Sequence, residues 1–140
     1  MDSIRLPTNE RAGLVVPAGD PLAGRELIGL EDLPGLPLIV PESYRETGLL
    51  GDERPTSEGG RLDFVTTFGL TFNATRLVAA GMGYAVCLAG LADVSADSGL
   101  AFVPLDVRLD MPSYLVWKSF QLRTRACEAF LERMREAYDA

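Results

Sequence analysis

The glycines in the run from Leu62 to Leu88 limit what this chain can fold into more than any other feature. Leu62, Phe64 and Val65 with the β-favouring pair Thr66-Thr67 predict a strand, bounded upstream by Glu58-Gly59-Gly60. Gly69 breaks that run. Leu70, Ala74, Leu77 and Val78 then recur at the spacing of one helical face. Gly81 falls where such a helix should stop, because glycine takes the left-handed conformation of a helix C′ residue without steric cost. Met82-Gly83 makes the turn, and Tyr84-Ala-Val-Cys-Leu88 is a short apolar run suited to a buried strand. Strand, helix, glycine turn and strand with such short connections form a βαβ unit, which implies a parallel sheet.

The remaining segments supply further strands. Met1 to Arg11 is polar, has a turn signal at Pro7-Thr8-Asn9, and predicts no strong element. Ala12–Pro17 is a short strand stopped by proline, followed by a turn over Ala18–Ala23 in which Asp20-Pro21 favours initiation. Leu30–Leu33 predicts one helical turn ended by Pro34-Gly35, and Pro37–Val40 a strand with proline at its first position. Leu88–Val94 predicts a helical turn, Leu100–Pro104 a strand, and Tyr114–Lys118 another. The last element is a helix with Thr124 as N-cap and an apolar stripe of Cys127, Phe130, Leu131, Met134 and Tyr138.

Composition excludes several functions. A chain of 140 residues suits one domain with a real core. Its net charge of −7 repels phosphate backbones, so no nucleic acid is expected to bind this chain by itself. No apolar run is long enough to cross a membrane, and the start at Met1 is no signal peptide, so a cytoplasmic protein is expected. Histidine is absent, which removes serine–histidine and cysteine–histidine catalysis and histidine-ligated metals. Neither Ser/Lys nor paired carboxylates replace them; adjacent Glu31-Asp32 diverge on a helical turn and read as a solvated face. The expectation is therefore no enzyme, no cofactor and no metal.

Several runs resemble one family. Arg76-Leu-Val-Ala-Ala-Gly-Met-Gly-Tyr-Ala-Val-Cys-Leu88 is similar to the effector-domain segment of LysR-type transcriptional regulators, where a helix runs into Gly-x-Gly and a strand. Asp20-Pro-Leu-Ala23 stands where that family has His/Ser-Pro-Leu-Ala, with Asp20 as the departure. Leu30-Glu-Asp-Leu-Pro-Gly-Leu-Pro-Leu-Ile39 and the pair Phe102–Leu105 and Tyr114–Trp117 match further family runs. The resemblance covers about Leu6 to Tyr138. It implies an α/β lobe like that of type II periplasmic binding proteins, with a mixed, mostly parallel sheet flanked by helices. A short helix over Tyr44–Leu50 is implied only by this resemblance, and Gly48 and Gly51 weaken it. Residues 1–140 then form a partial effector-binding domain: mainly the second lobe, the two crossing strands and the closing helix. The DNA-binding domain and the first part of lobe I are missing from it. The implied function is binding of a small-molecule effector, an anion among the candidates, within a homo-oligomer that reaches DNA through its missing N-terminal domain. A lobe of a solute-binding transport protein is the alternative.

Ligands of open parallel sheets gather at the carboxyl ends of the strands. One such end presents Pro41, Glu42, Ser43 and Tyr44; the other presents Thr67, Phe68, Gly69 and Leu70. Effector contacts of related regulators fall at the same loops. Ser43 can equally cap a turn, and Phe68 can equally belong to the core. A carboxylate at Glu42 facing the cleft disfavours anionic aromatic acids. Met82 reads as core rather than contact, Trp117 as packing beneath the last helix or as hinge lining. Cys87, in an apolar run without a basic neighbour, reads as structural rather than as a redox sensor.

Overall fold

The strands follow the apolar runs, with one addition at the N-terminus. They are β1 (Asp2–Asn9), β2 (Ala12–Pro17), β3 (Pro37–Pro41), β4 (Asp63–Phe68), β5 (Tyr84–Leu88), β6 (Leu100–Pro104) and β7 (Pro112–Trp117). Helix α1 spans Thr71–Ala79 and α2 spans Arg125–Tyr138; Pro21–Gly24 and Leu30–Asp32 are 3-10 turns. The structure, a computed structural model, describes residues 1–44, 62–107 and 111–138. The predicted helix over Tyr44–Leu50 lies, beyond Tyr44, outside them. The chain divides into two units, Met1–Glu10 with Asp110–Ala140, and Arg11–Leu109.

The larger unit is a five-stranded sheet in the order β4-β3-β5-β2-β6. β3 is parallel to both β4 and β5, whereas β2 is antiparallel to β5 and β6. The sheet is therefore mixed, with half of its pairings parallel. The predicted βαβ unit exists as β4-α1-β5, but β3 lies between its two strands. Side chains of the central strands alternate between two cores. Leu14, Val16, Leu38, Val40 and Val86 point into one, with Ile28, Leu33 and Tyr44. Val15, Ile39, Ala85 and Cys87 point into the other, where Ala74 and Val78 of α1 and Phe68 meet them. Burial on both faces is why β2, β3 and β5 read as continuous apolar runs.

Two glycines set the α1–β5 connection for different reasons. Gly81 has φ 81°, the left-handed C′ conformation the sequence predicted. Its N–H donates to the Val78 carbonyl at 3.0 Å, and the Met82 N–H to the Leu77 carbonyl at 3.1 Å, which is a Schellman termination. Gly83 instead lets two strands approach: a Cβ there would lie 2.5 Å from the Pro37 carbonyl oxygen. Met82 projects outward and is exposed, contrary to the expected core position, because the C″ residue of this turn leaves the helix face. Leu70 also leaves the buried face, since it is the N-cap and extended rather than the first helical residue.

Two further expectations need correction. Leu88–Val94 forms turns rather than a helical turn: Gly90 has φ 81°, and the Asp93 carboxylate accepts the Ser95 N–H at 3.0 Å. That bond closes the backbone locally in place of a helical one. Asp32 is more than a solvated charge. It accepts the Gly29 N–H at 3.0 Å and pairs with Arg25 at 3.1 Å, and these bonds, the backbone one first, hold its carboxyl below the usual range.

The smaller unit contains the N-terminal strand that local pattern did not predict. β1 pairs antiparallel with β7, from Asp2↔Trp117 to Arg5↔Tyr114, and the register breaks before Asn9↔Pro112 around the Pro7 turn signal. Partner strands override the weak local propensity here. The Thr124 hydroxyl accepts the Cys127 N–H at 3.2 Å, as an N-cap does. Of the stripe on α2 only Leu131 is buried, and Met134 is half-buried; Cys127, Phe130 and Tyr138 are exposed. Trp117 packs under α2, with the Arg135 guanidinium 5.3 Å from its ring centre, so the packing alternative describes it.

Candidate functional site

β3 and β4 end side by side, with Pro41 in register with Phe68. The Glu42 N–H donates to the Phe68 carbonyl at 3.0 Å, which extends the ladder one bond past the strands and holds the two following loops together. From there the chain turns through Gly69 and Leu70 into α1. The Leu70 carbonyl accepts from Asn73 at 3.0 Å and Ala74 at 3.4 Å, and Leu70 offers no capping side chain. The N–H groups of Thr71 and Phe72 therefore precede the helical ladder and carry the positive end of its dipole. Two strand ends and a helix N-terminus thus converge within one unit.

The predicted site residues separate into two sets. Glu42, Ser43, Thr67, Gly69 and Leu70 are exposed, and Pro41 is half-buried. Phe68 and Tyr44 are buried, each in one of the two cores on opposite faces of the sheet. Tyr44 meets Phe64 edge to face with ring centres 5.0 Å apart. Phe68 thus takes the core role that its position left open, because strand β4 runs one residue further than predicted. Glu42 leans toward the helix: its Oε2 lies 4.0 Å from where a Cβ on Gly69 would stand.

A polar pair that the sequence did not reveal lies at the opposite end of the strands, where β5 begins. The Tyr84 hydroxyl donates to Asp20 Oδ2 at 2.6 Å, and Asp20 Oδ1 accepts the Leu22 N–H at 2.9 Å. The Asp20 bond and partial burial raise the Tyr84 pKa. Asp20 therefore fixes a 3-10 turn to the start of the central strand. Its partner is 64 residues away, and Tyr84 sat in an apolar run, so only the turn at Asp20-Pro21 had a sequence signal. Cys87 is buried and its thiol is pushed up to about 11 by desolvation, which suits packing and opposes redox reactivity. Among the described residues no three His, Cys, Asp or Glu side chains converge as a metal site, and no helix is long and apolar enough to cross a membrane.

An α/β lobe with a mixed sheet flanked by helices is the architecture of type II periplasmic binding proteins. Residues 2–139 match the LysR substrate binding domain, and the chain belongs to that family. Solved structures share the fold. HinK, a LysR family transcriptional regulator from Pseudomonas aeruginosa, is 19% identical with a TM-score of 0.65 over 97% of this chain and 48% of that one. The regulatory domain of CcmR from Synechocystis PCC6803, in complex with 2-PG, is 18% identical with a TM-score of 0.67, covering 99% of this chain and 68% of that one. The effector binding domain of QuiR in complex with shikimate is 16% identical with a TM-score of 0.69, covering 99% and 66% respectively. The chain thus spans about half the length of HinK. Comparison with curated protein sequences returns no match.

Proposed function

We propose that this chain is the effector-binding portion of a LysR-type transcriptional regulator and that it holds a small polar molecule against Pro41–Tyr44 and Thr67–Leu70. The observation that carries the placement is the Glu42–Phe68 bond, which gathers two strand ends beside the N-terminus of α1. Family membership supports binding rather than catalysis. The ligands of two fold neighbours, shikimate on QuiR and 2-PG on CcmR, show that this fold accommodates small molecules. Here Gly69 allows a ligand close to backbone, Ser43 and Thr67 offer hydroxyls, and Leu70 an apolar edge. In the whole regulator, which acts in the cytoplasm as a homo-oligomer, ligand capture biases the arrangement of lobes and hence of DNA-binding domains supplied by other parts of the protein.

The helix N-terminus contributes about 0.3–1 kcal/mol toward an anion. The test is a titration with benzamide, a small neutral polar probe, followed through backbone amide resonances. Shifts confined to residues 42–44 and 67–71, weakened by Ser43→Ala or Thr67→Ala, are expected. Phe68→Ala is a poor probe, since emptying a buried aromatic site costs about 3–5 kcal/mol of stability. Binding that leaves those amides unmoved, or that neither variant weakens, would place the site elsewhere.

A further inference from the structure

The exposed carboxylate of Glu42 bears directly on ligand charge. Its backbone is fixed by the bond to Phe68, and its Oε2 reaches toward Gly69, two residues before the first residue of α1. Among the described residues no salt bridge engages it; Arg25–Asp32, in the same unit, pairs at a 3-10 turn. The corner therefore already contains a negative charge at the place where the helix N-terminus would attract one. Resting on the site reading above, we infer that Glu42 sets the charge selectivity of this lobe: it favours ligands that present a protonated amine or amidine to the corner and disfavours carboxylates and phosphates. An amidinium can donate hydrogen bonds to the Glu42 carboxylate. A carboxylate placed there meets a like charge at about 4 Å, a penalty worth roughly five- to tenfold in affinity near a solvated surface.

Three probes of nearly equal shape test this: benzamidine (cationic), benzamide (neutral) and benzoate (anionic). Each is titrated into the 140-residue chain and into Glu42→Gln, with affinities read from the amide resonances of Gly69, Leu70 and Thr71. Glutamine keeps the backbone donor and side-chain length, and the spectrum itself reports whether the fold is intact. The expected order in the unaltered chain is benzamidine tightest and benzoate weakest. Glu42→Gln should weaken benzamidine and strengthen benzoate by about five- to tenfold each, with benzamide changed by less than about twofold. Benzoate binding equally well to both proteins, or benzamide shifting as much as the charged probes, overturns the charge selectivity while leaving the site in place. If no probe moves these amides in either protein, the site reading itself fails and this inference falls with it.

Discussion

A single methyl group at Gly83 should force two strands apart. The ideal Cβ of Gly83→Ala lies 2.5 Å from the Pro37 carbonyl oxygen, about 0.9 Å inside the distance at which ordinary contact begins. Neither side can yield cheaply, because Pro37 opens β3 and Gly83 leads directly into β5. The β3–β5 ladder contains only Leu38↔Tyr84 and Ile39↔Ala85, so relief comes at the expense of pairing in the middle of the sheet. Overpacking typically costs about 1–3 kcal/mol, and a backbone obstacle places this case at about 2–3. With a urea slope of about 1–3 kcal/mol/M, the unfolding midpoint should fall by roughly 1 M at unchanged slope. Far-ultraviolet circular dichroism is the assay; Trp117, the only tryptophan, lies in the smaller unit and does not report on this sheet. Gly81 provides the control, since nothing lies within 4 Å of its Cβ position and only its φ of 81° opposes a side chain. Gly81→Ala should cost about 1–2 kcal/mol and Gly81→Val more, with Gly81→Asn the mildest. A Gly83→Ala protein within about 0.5 kcal/mol of the parent would refute the close-approach argument.

Other outcomes follow from the same structure. Tyr84→Phe should cost about 1–2 kcal/mol near neutral pH by removing the bond to Asp20. The raised Tyr84 pKa means that this stabilisation is complete below the ordinary tyrosine value of 10.0 and is lost as pH rises through the folded value, so parent and variant curves should converge at alkaline pH. A difference that persists there would contradict the assignment. With an aromatic disulfide reagent at neutral pH, exposed Cys127 should react promptly and buried Cys87 only after urea unfolding; two fast thiols would show that the sheet opens readily. Tyr114, Val116, Phe120 and Leu122 leave apolar surface on the smaller unit, so light scattering should show association with rising concentration, reduced by Phe120→Ser with Leu122→Ser. A strictly monomeric species throughout would count against that surface being sticky.

The sequence by itself determined the parts whose cause is local. Alternating or continuous apolar runs marked β2 to β6, helical spacing and Thr124 marked α1 and α2, and the need for positive φ marked Gly81. The candidate loops were legible for the same reason, because strand ends and a helix start can be read from composition along the chain. Tertiary structure decided whatever depends on a distant partner. β1 is a strand because β7 pairs with it, and β3 separates β4 from β5 although it precedes both in sequence. Gly83 is required by Pro37 rather than by its own turn, and Asp20, just past β2, finds Tyr84 at the start of the neighbouring β5. Within the candidate site, chain pattern could name Glu42, Ser43, Phe68 and Gly69 but could not sort them. Phe68 joined the core because β4 continues one residue further and points that ring inward. Glu42 stayed at the surface, with its backbone tied to Phe68 and its carboxylate reaching toward Gly69. Local sequence specifies backbone preference and polarity; which side chain faces the ligand is set by register between strands that the sequence does not place side by side.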